Sequence, residues 1–198
     1  MIRAARILLV LMSVAACSGQ PPVPEDHFYR LTQPSTAASA AVLTGGAIFV
    51  ERFIADGVHR DRALTYMVGS DSELKQHHYH HWIDSPARLL RDHLIDYLRA
   101  SAAAAVVTDS PTEAAGLSIY GKIRQFDIVS RDGMQQVAVA LEFRVETPTD
   151  DRPPFVRAYE RRREAGERTL NGAVEAFSGA LDDIFSQLVE DLRGSSGG

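Results

Sequence analysis

Four imidazoles in five residues, His77-His78-Tyr79-His80-His81, form the densest group of possible ligands in the sequence. Neutral imidazole suits zinc, copper and nickel alike. On an extended strand His78 and His80 share one face, and His77 and His81 share the other, so a two-ligand site is easy and a closed four-ligand site is hard. A structural zinc site ordinarily wants four ligands, and no cysteine stands nearby to help. His78 and His80 are therefore the metal candidates, but the run reads first as a polar loop leading into the helix beyond it, and no metal or cofactor is assigned. Trp82, the single tryptophan, follows at once. It is expected in the core, closing the start of that helix against a sheet, rather than as an interface anchor. Ser118, in Gly116-Leu117-Ser118-Ile119-Tyr120, lacks the glycine two residues on that a nucleophile elbow needs, and it sits inside a strand pattern. The run Arg161-Arg162-Arg163 could hold an anion. Glu160, Glu164 and Glu167 flank it, which predicts a solvated, salt-bridged beginning of a helix instead. No Walker motif, GxGxxG or HExxH occurs, and no acid–base pair or nucleophile stands out. The chain is expected to catalyse nothing.

One thiol carries a different chemistry. Arg3 and Arg6 give a basic start, Ile7 to Met12 an apolar core, and Ser13 to Ala16 small residues, the layout of a secretory leader. The apolar run is far short of the ~20 residues that a membrane-spanning helix needs. It ends in Val14-Ala15-Ala16-Cys17, which resembles a bacterial lipobox. That resemblance implies attachment of diacylglycerol to the Cys17 thiol, labelled by palmitate, and cleavage between Ala16 and Cys17 that leaves Cys17 as the new N-terminus. Cys17 is the only cysteine, so no internal disulfide competes for it, and acylation removes a free thiol from an oxidising compartment. Ser18 rather than Asp follows, which by the sorting rule of such signals favours the outer membrane. Of the 21 Lys and Arg, Arg3 and Arg6 leave with the leader, so 19 stand against 26 Asp and Glu, a formal charge of −7. That balance excludes nucleic acid as a partner and a polybasic contact with lipid heads.

The elements behind these residues are legible from periodicity. Residues 1–16 read as the leader, 17–26 as a lipidated proline-containing tether, 27–193 as one periplasmic domain, and 194–198 as a disordered tail. About ten tether residues could reach roughly 33 Å when extended. His27 to Leu31 is a short β-like run, and Pro34 to Ala41 a loop. Gly45 to Ile54 predicts a strand with Ile48, Val50 and Ile54 on one face and Glu51 and Phe53 on the other. Leu64 to Val68 and Ala104 to Thr108 are further short strands. Asp84-Ser85-Pro86 starts a helix whose Leu90, Leu94, Tyr97 and Leu98 form one stripe, with Arg88, Arg91 and Asp92 away from it. Leu117, Ile119 and Ile123 alternate with polar neighbours. The phase then shifts to Phe126 and Ile128, which predicts a bulge near Arg124-Gln125. Asp132-Gly133 supplies a turn, and Val137, Val139, Leu141, Phe143 and Val145 alternate cleanly after it. Phe155 to Tyr159 is one more strand. Leu170, Val174, Phe177, Leu181, Ile184, Phe185, Leu188 and Leu192 then mark a long helix, with Asp182, Asp183, Glu190 and Asp191 off its stripe. Two helices and about seven strands predict an α/β (α+β) fold: a two-layer sandwich, mainly antiparallel, with both helices on one sheet face.

This order resembles the family of ABC-type transport auxiliary lipoproteins (PqiC-like). The resemblance is carried by Cys17, by Phe28-Tyr29-Arg30-Leu31, by Asp61-Arg62-Ala63-Leu64-Thr65-Tyr66, by His81-Trp82-Ile83-Asp84-Ser85-Pro86, and by the Gly121 to Val145 hairpin ahead of a long helix. Met67 and the pair His80-His81 depart from the family's pattern. The resemblance implies a lipoprotein of the outer membrane, facing the periplasm. It would dock on or help assemble an MCE-domain transport system that moves lipids or other apolar molecules, and members are expected to form homo-oligomers. Two other readings stay open on the residues alone: a structural lipoprotein of another envelope assembly, and a periplasmic metal-binding module using His77 to His81.

Overall fold

The computed structural model describes residues 23–35, 42–69, 73–148 and 153–196. The segments read from sequence as leader, lipidated Cys17 and tether up to residue 22, most of the expected loop over 34–41, and the last two residues lie outside the described residues. In chain order the described elements are β1 (His27–Tyr29), β2 (Ala47–Val50), β3 (Ile54–Ala55), a 3-10 turn (Gly57–Arg60), β4 (Ala63–Val68), β5 (Lys75–Trp82), α1 (Pro86–Ala100), β6 (Val107–Thr108), β7 (Ala115–Arg131), β8 (Met134–Glu146), β9 (Phe155–Glu164) and α2 (Leu170–Ser196).

Strict alternation of apolar and polar residues makes β7 and β8 the axis of one curled, mixed sheet. They pair antiparallel from Arg131↔Met134 down to Ser118↔Glu146, and the register shifts between Ile123 and Gln125, where the alternation changes phase. Asp132 (φ 51°) and Gly133 (φ 78°) turn the chain in left-handed conformations, as a two-residue hairpin turn of the primed type requires. β9 pairs antiparallel with the outer edge of β8. The other edge of β7 takes three short parallel partners in succession: β2 beside Ala115–Ile119, β3 beside Lys122 and Ile123, and β4 beside Asp127–Ser130. β6 extends the sheet from β2, and β5 then β1 extend it from β4. The longest pairings are antiparallel. The parallel ones arise because three strands share one edge of β7.

Both helices pack into one hydrophobic cluster with this sheet. Trp82 meets Phe126 at 5.1 Å and Phe177 of α2 at 5.4 Å between ring centroids. Phe185 of α2 touches both Tyr97 of α1 and Phe143 of β8. The apolar stripes of both helices are buried as their spacing indicated. Thr169 caps α2, its hydroxyl accepting from the Gly172 N–H at 3.0 Å, one of the donors that a helix start leaves open. Ser85 precedes α1 without a side-chain cap.

Three sequence expectations change. The predicted strand over Gly45–Ile54 breaks after Val50, and Phe53 is buried while Ile54 is 59% exposed. Val50 pairs with Ile119 but Ile54 with Lys122, so four steps along one strand match three along the other. A slip of one residue inverts every facing side chain beyond it. Second, Arg161-Arg162-Arg163 belongs to β9 and not to a helix start. The β8 ladder runs on to Gln136↔Glu164, and Arg163 reaches Asp183 of α2 at 3.2 Å. Third, only Val107 and Thr108 of the Ala104–Thr108 segment form a strand, and Val106 is exposed.

Candidate functional site

The histidine run, expected as a polar loop, is strand β5, because its backbone pairs with β1 on one side and β4 on the other, and its geometry is set by a wide bulge. β4 pairs with β5 at Ala63↔His81 and again at Thr65↔Gln76. Leu64 alone therefore opposes four residues, His77 to His80. The arc turns His77 and His80 toward each other, rings edge to face at 5.4 Å. β1 lies parallel along the far side of β5, with His27 opposite His80 and Tyr29 opposite Trp82. That register stacks the His27 ring on His80 at 4.9 Å and 13°, and brings the Tyr29 hydroxyl 2.9 Å from His80 Nδ1. Tyr66 of β4 closes on His77 at 4.5 Å. Five rings from three strands thus form one cluster.

The cluster's chemistry follows from that packing. Burial holds the His77 imidazole below its ordinary pKa, and the neighbouring His80 and His78 add to the shift. Burial, then His27 and His81, do the same to His80. Burial raises Tyr29, so its hydroxyl keeps its proton. When that hydroxyl donates to Nδ1, the neutral His80 ring carries its own proton on Nε2. His78, expected to share a face with His80, lies against Tyr79 instead. Among the described residues no group of three or more His, Cys, Asp or Glu side chains is arranged to hold a metal ion. His80 Nδ1 is occupied by the Tyr29 hydroxyl, and the His27 ring stacks on His80 while the His77 ring meets it edge-on.

Behind the bulge the sheet turns to its other face. Phe28 stands beside His81, rings 5.8 Å apart, with the Arg62 guanidinium 5.7 Å from the Phe28 ring centre. His81 Nε2 lies 3.6 Å from Asp26. Ile83 continues the ladder past β5, its N–H donating to the Tyr29 carbonyl at 2.7 Å. This is the edge through which the N-terminal segment joins the sheet.

Two polar clusters were not legible in the sequence. On the helix-free face of the sheet, His59 Nε2 lies 2.9 Å from Asp127 Oδ1, and the Thr65 hydroxyl donates to the same oxygen at 2.7 Å. Both groups converge on one carboxylate oxygen and not on each other, and the Thr65 hydroxyl also reaches the Phe126 carbonyl at 2.9 Å, so the cluster ties β4 and the turn before it to β7. Between the helices, His93 Nε2 and Asp182 Oδ1 are 3.3 Å apart, within ion-pair distance but not aligned as a hydrogen bond. The other Asp182 oxygen accepts from the Ser35 N–H at 2.8 Å, and Ser178 Oγ accepts from the Thr32 N–H at 3.0 Å. The chain after β1 is thereby strapped along α2. Asp127 gave no signal because it sits between core residues Phe126 and Ile128 but faces away from them. Asp182 gave none because its stripe position reads as solvent. Ser118 is buried in β7 between β2 and β8, and Trp82 is core.

A curled mixed sheet with two helices in its concave core, entered by a strapped N-terminal strand, is a fold already known from solved structures. The Xanthomonas campestris protein XCC0632, of the DUF330 family, shares it with TM-score 0.70 at 17% identity over 82% of this chain and 92% of that one. An uncharacterised protein matches with TM-score 0.70 at 12% identity, over 85% and 99% of the two chains. The hypothetical protein CT253 of Chlamydia trachomatis matches with TM-score 0.50 at 10% identity, over 76% and 97%. Sequence comparison with curated proteins finds no match. The family model of the ABC-type transport auxiliary lipoprotein component matches residues 29–189. The chain belongs to that family, as its motifs had implied. No helix among the described residues is long and apolar enough to cross a membrane.

Proposed function

We propose that this chain is a lipid-anchored docking or assembly component of an MCE-type ABC transport system that moves lipids or other apolar molecules across the envelope. The family match over residues 29–189 carries this reading. In it, the leader is cut between Ala16 and Cys17, acyl chains on Cys17 hold the protein at the periplasmic face of the outer membrane, and Ser18 directs it there. Residues 27–193 form one periplasmic domain, 194–198 are its tail, and energy from ATP enters through other subunits. Copies of the chain assemble into a homo-oligomer beside the MCE protein. The fold supports an adaptor because its clusters of histidine, acid and hydroxyl are spent on fixing strands and helices to one another. In-cell crosslinking of the native protein, followed by mass spectrometry of what it captures, tests the reading. An MCE-domain subunit is expected among the crosslinked partners. Repeated capture without one, from cells that express the whole transport system, sinks it.

A further inference from the structure

We infer that the β1 edge is a membrane-contacting surface, on which Phe28 and Ile83 rest in the interface of a lipid bilayer. The inference rests on the proposed lipid anchor at Cys17 and goes beyond it, since an anchor alone leaves the domain free to hang clear of the membrane.

Large apolar side chains are exposed together where the tether joins the sheet. Phe28 is 54% exposed and Ile83 45%, and Tyr79 further along β5 is 44% exposed. Phe28 and His81 are paired neighbours and share a face, and Tyr79 and Ile83 stand two residues either side of His81. Phe28, His81 and Tyr79 point away from the helices, because the alternating Trp82 points into the core, and Ile83 lies past the end of β5, at the rim of the edge beside Leu89 of α1. Arg62 lies over the Phe28 ring. Aromatic, aliphatic and arginine side chains side by side are the composition that settles at the boundary between lipid heads and acyl chains.

The chain's own connectivity selects lipid as the occupant. Phe28 follows Cys17 by eleven residues, so an anchored chain keeps it within about 40 Å of the bilayer even when fully extended. A surface held that close is met at high effective concentration, before any diffusing partner. The rest of the helix-free face mixes exposed apolar residues with charge, Val156 (59% exposed) standing opposite Arg144. It carries ion pairs, Lys122 with Asp56, Arg124 with Glu142 and Arg144 with Glu146, which stay in water. The body is acidic, so the contact depends on apolar side chains rather than on attraction to anionic heads, and it should form on zwitterionic lipid and resist salt.

The test uses the full lipidated protein, purified from membranes and reconstituted into vesicles of phosphatidylethanolamine and phosphatidylcholine with brominated acyl chains. Phe28→Trp, and separately Ile83→Trp, place an indole on the edge. Val156→Trp places one on the same sheet face but on β9, the opposite edge. Circular dichroism matching the unchanged protein qualifies each variant. Native Trp82 is buried and serves as the unquenched background. Bromine should quench the edge indoles strongly, at low and at high salt, and leave the β9 indole at background. Equal quenching at both edges, or none at either, overturns the inference. So does an edge indole that responds only when a purified transport subunit is added, since the patch would then belong to a protein partner. Intact mass of the same preparation reports the acyl chains on Cys17, so failure of the anchor is read separately from failure of the contact.

Discussion

Phe53 lies directly over Gly121: a Cβ built on the glycine would come 2.6 Å from three carbons of the phenyl ring. Real side chains do not approach so closely, so glycine here is a packing requirement. Phe53 is buried, edge-on to Phe143 at 5.8 Å, and Phe143 is the β8 partner of Gly121. The break between β2 and β3 exists to let this ring cross β7. Gly121→Ala should therefore destabilise the fold by roughly 1–3 kcal/mol, the usual cost of overpacking a core. Urea unfolding would show it as a lower midpoint at unchanged slope. Phe53→Leu combined with Gly121→Ala should recover part of the loss, and strict additivity of the two changes would show that the rings and the glycine are not coupled.

Trp82 joins β5 to Phe126 and Phe177 and is 1% exposed. Truncation leaves a void that neighbours fill only in part. Trp82→Ala should cost about 3–5 kcal/mol, a large share of the roughly 5–15 kcal/mol that holds a domain of this kind folded. Guanidinium titration followed by circular dichroism measures it. A loss under about 1 kcal/mol would mark Trp82 as a surface residue in solution.

The imidazoles of His77 and His80 are both held below their ordinary value of 6.5. The folded chain thus resists protonation while the unfolded chain takes up protons from about pH 6.5 downward. Stability contributed by keeping these rings neutral is complete above pH 6.5 and is lost as pH falls toward the folded values. Unfolding free energies measured at pH 7.5 and 5.5 should differ, with the acid value smaller. His77→Gln with His80→Gln should flatten that dependence. The carboxylates with lowered pKa, Asp56 and Asp191, act in a separate range below their ordinary 3.8, so they do not mask it.

How far such features can be read from sequence depends on their range. The hairpin, its bulge after Ile123, the turn at Asp132-Gly133 and both helical stripes were legible, because each is a local period of two or 3.6 residues. The edge of β7 shared by β2, β3 and β4 was not, since no local pattern encodes which distant strand a segment will meet. The same holds for the histidine cluster. Its composition was plain, but the bulge opposite Leu64 pairs His77 with His80, where an ideal strand would have put His78 there. The arginine run misled for a different reason. Charges on β9 look like a helix start, whereas they protect an edge strand and reach back to acids on α2.

Tyr159 is the clearest of those ties. Its hydroxyl donates to Asp191 at 2.7 Å, and Arg157 holds the same carboxylate at 2.6 Å. The hydrogen bond from Tyr159 is the largest cause holding Asp191 below the usual carboxylate range, while burial and the carboxylate together push the phenol well above its own. Tyr159→Phe keeps the ring and removes the donor. It should cost about 1–2 kcal/mol, as for a hydrogen bond to a charged group that retains a second partner. It should also raise the Asp191 pKa, seen by carbon NMR titration. A loss of stability without movement of that pKa would assign the effect to ring packing alone.

The proposed anchor can be tested without any knowledge of the partner. Cys17 is the single thiol, so the site of acylation is chemically unique. Cells grown with radiolabelled palmitate should label the native chain, and Cys17→Ser should abolish the label entirely, because a hydroxyl cannot take the thioether-linked diacylglycerol. With no lipid, the leader-processing enzyme loses its substrate. The variant should accumulate with its leader, about 16 residues heavier than the mature chain, or leave the membrane fraction if another peptidase cuts it. Its circular dichroism should match that of the native protein, since Cys17 precedes every described strand. Palmitate on Cys17→Ser at the native level would place the attachment elsewhere. Both the tether length and the argument for a bilayer beneath Phe28 would then fall with it.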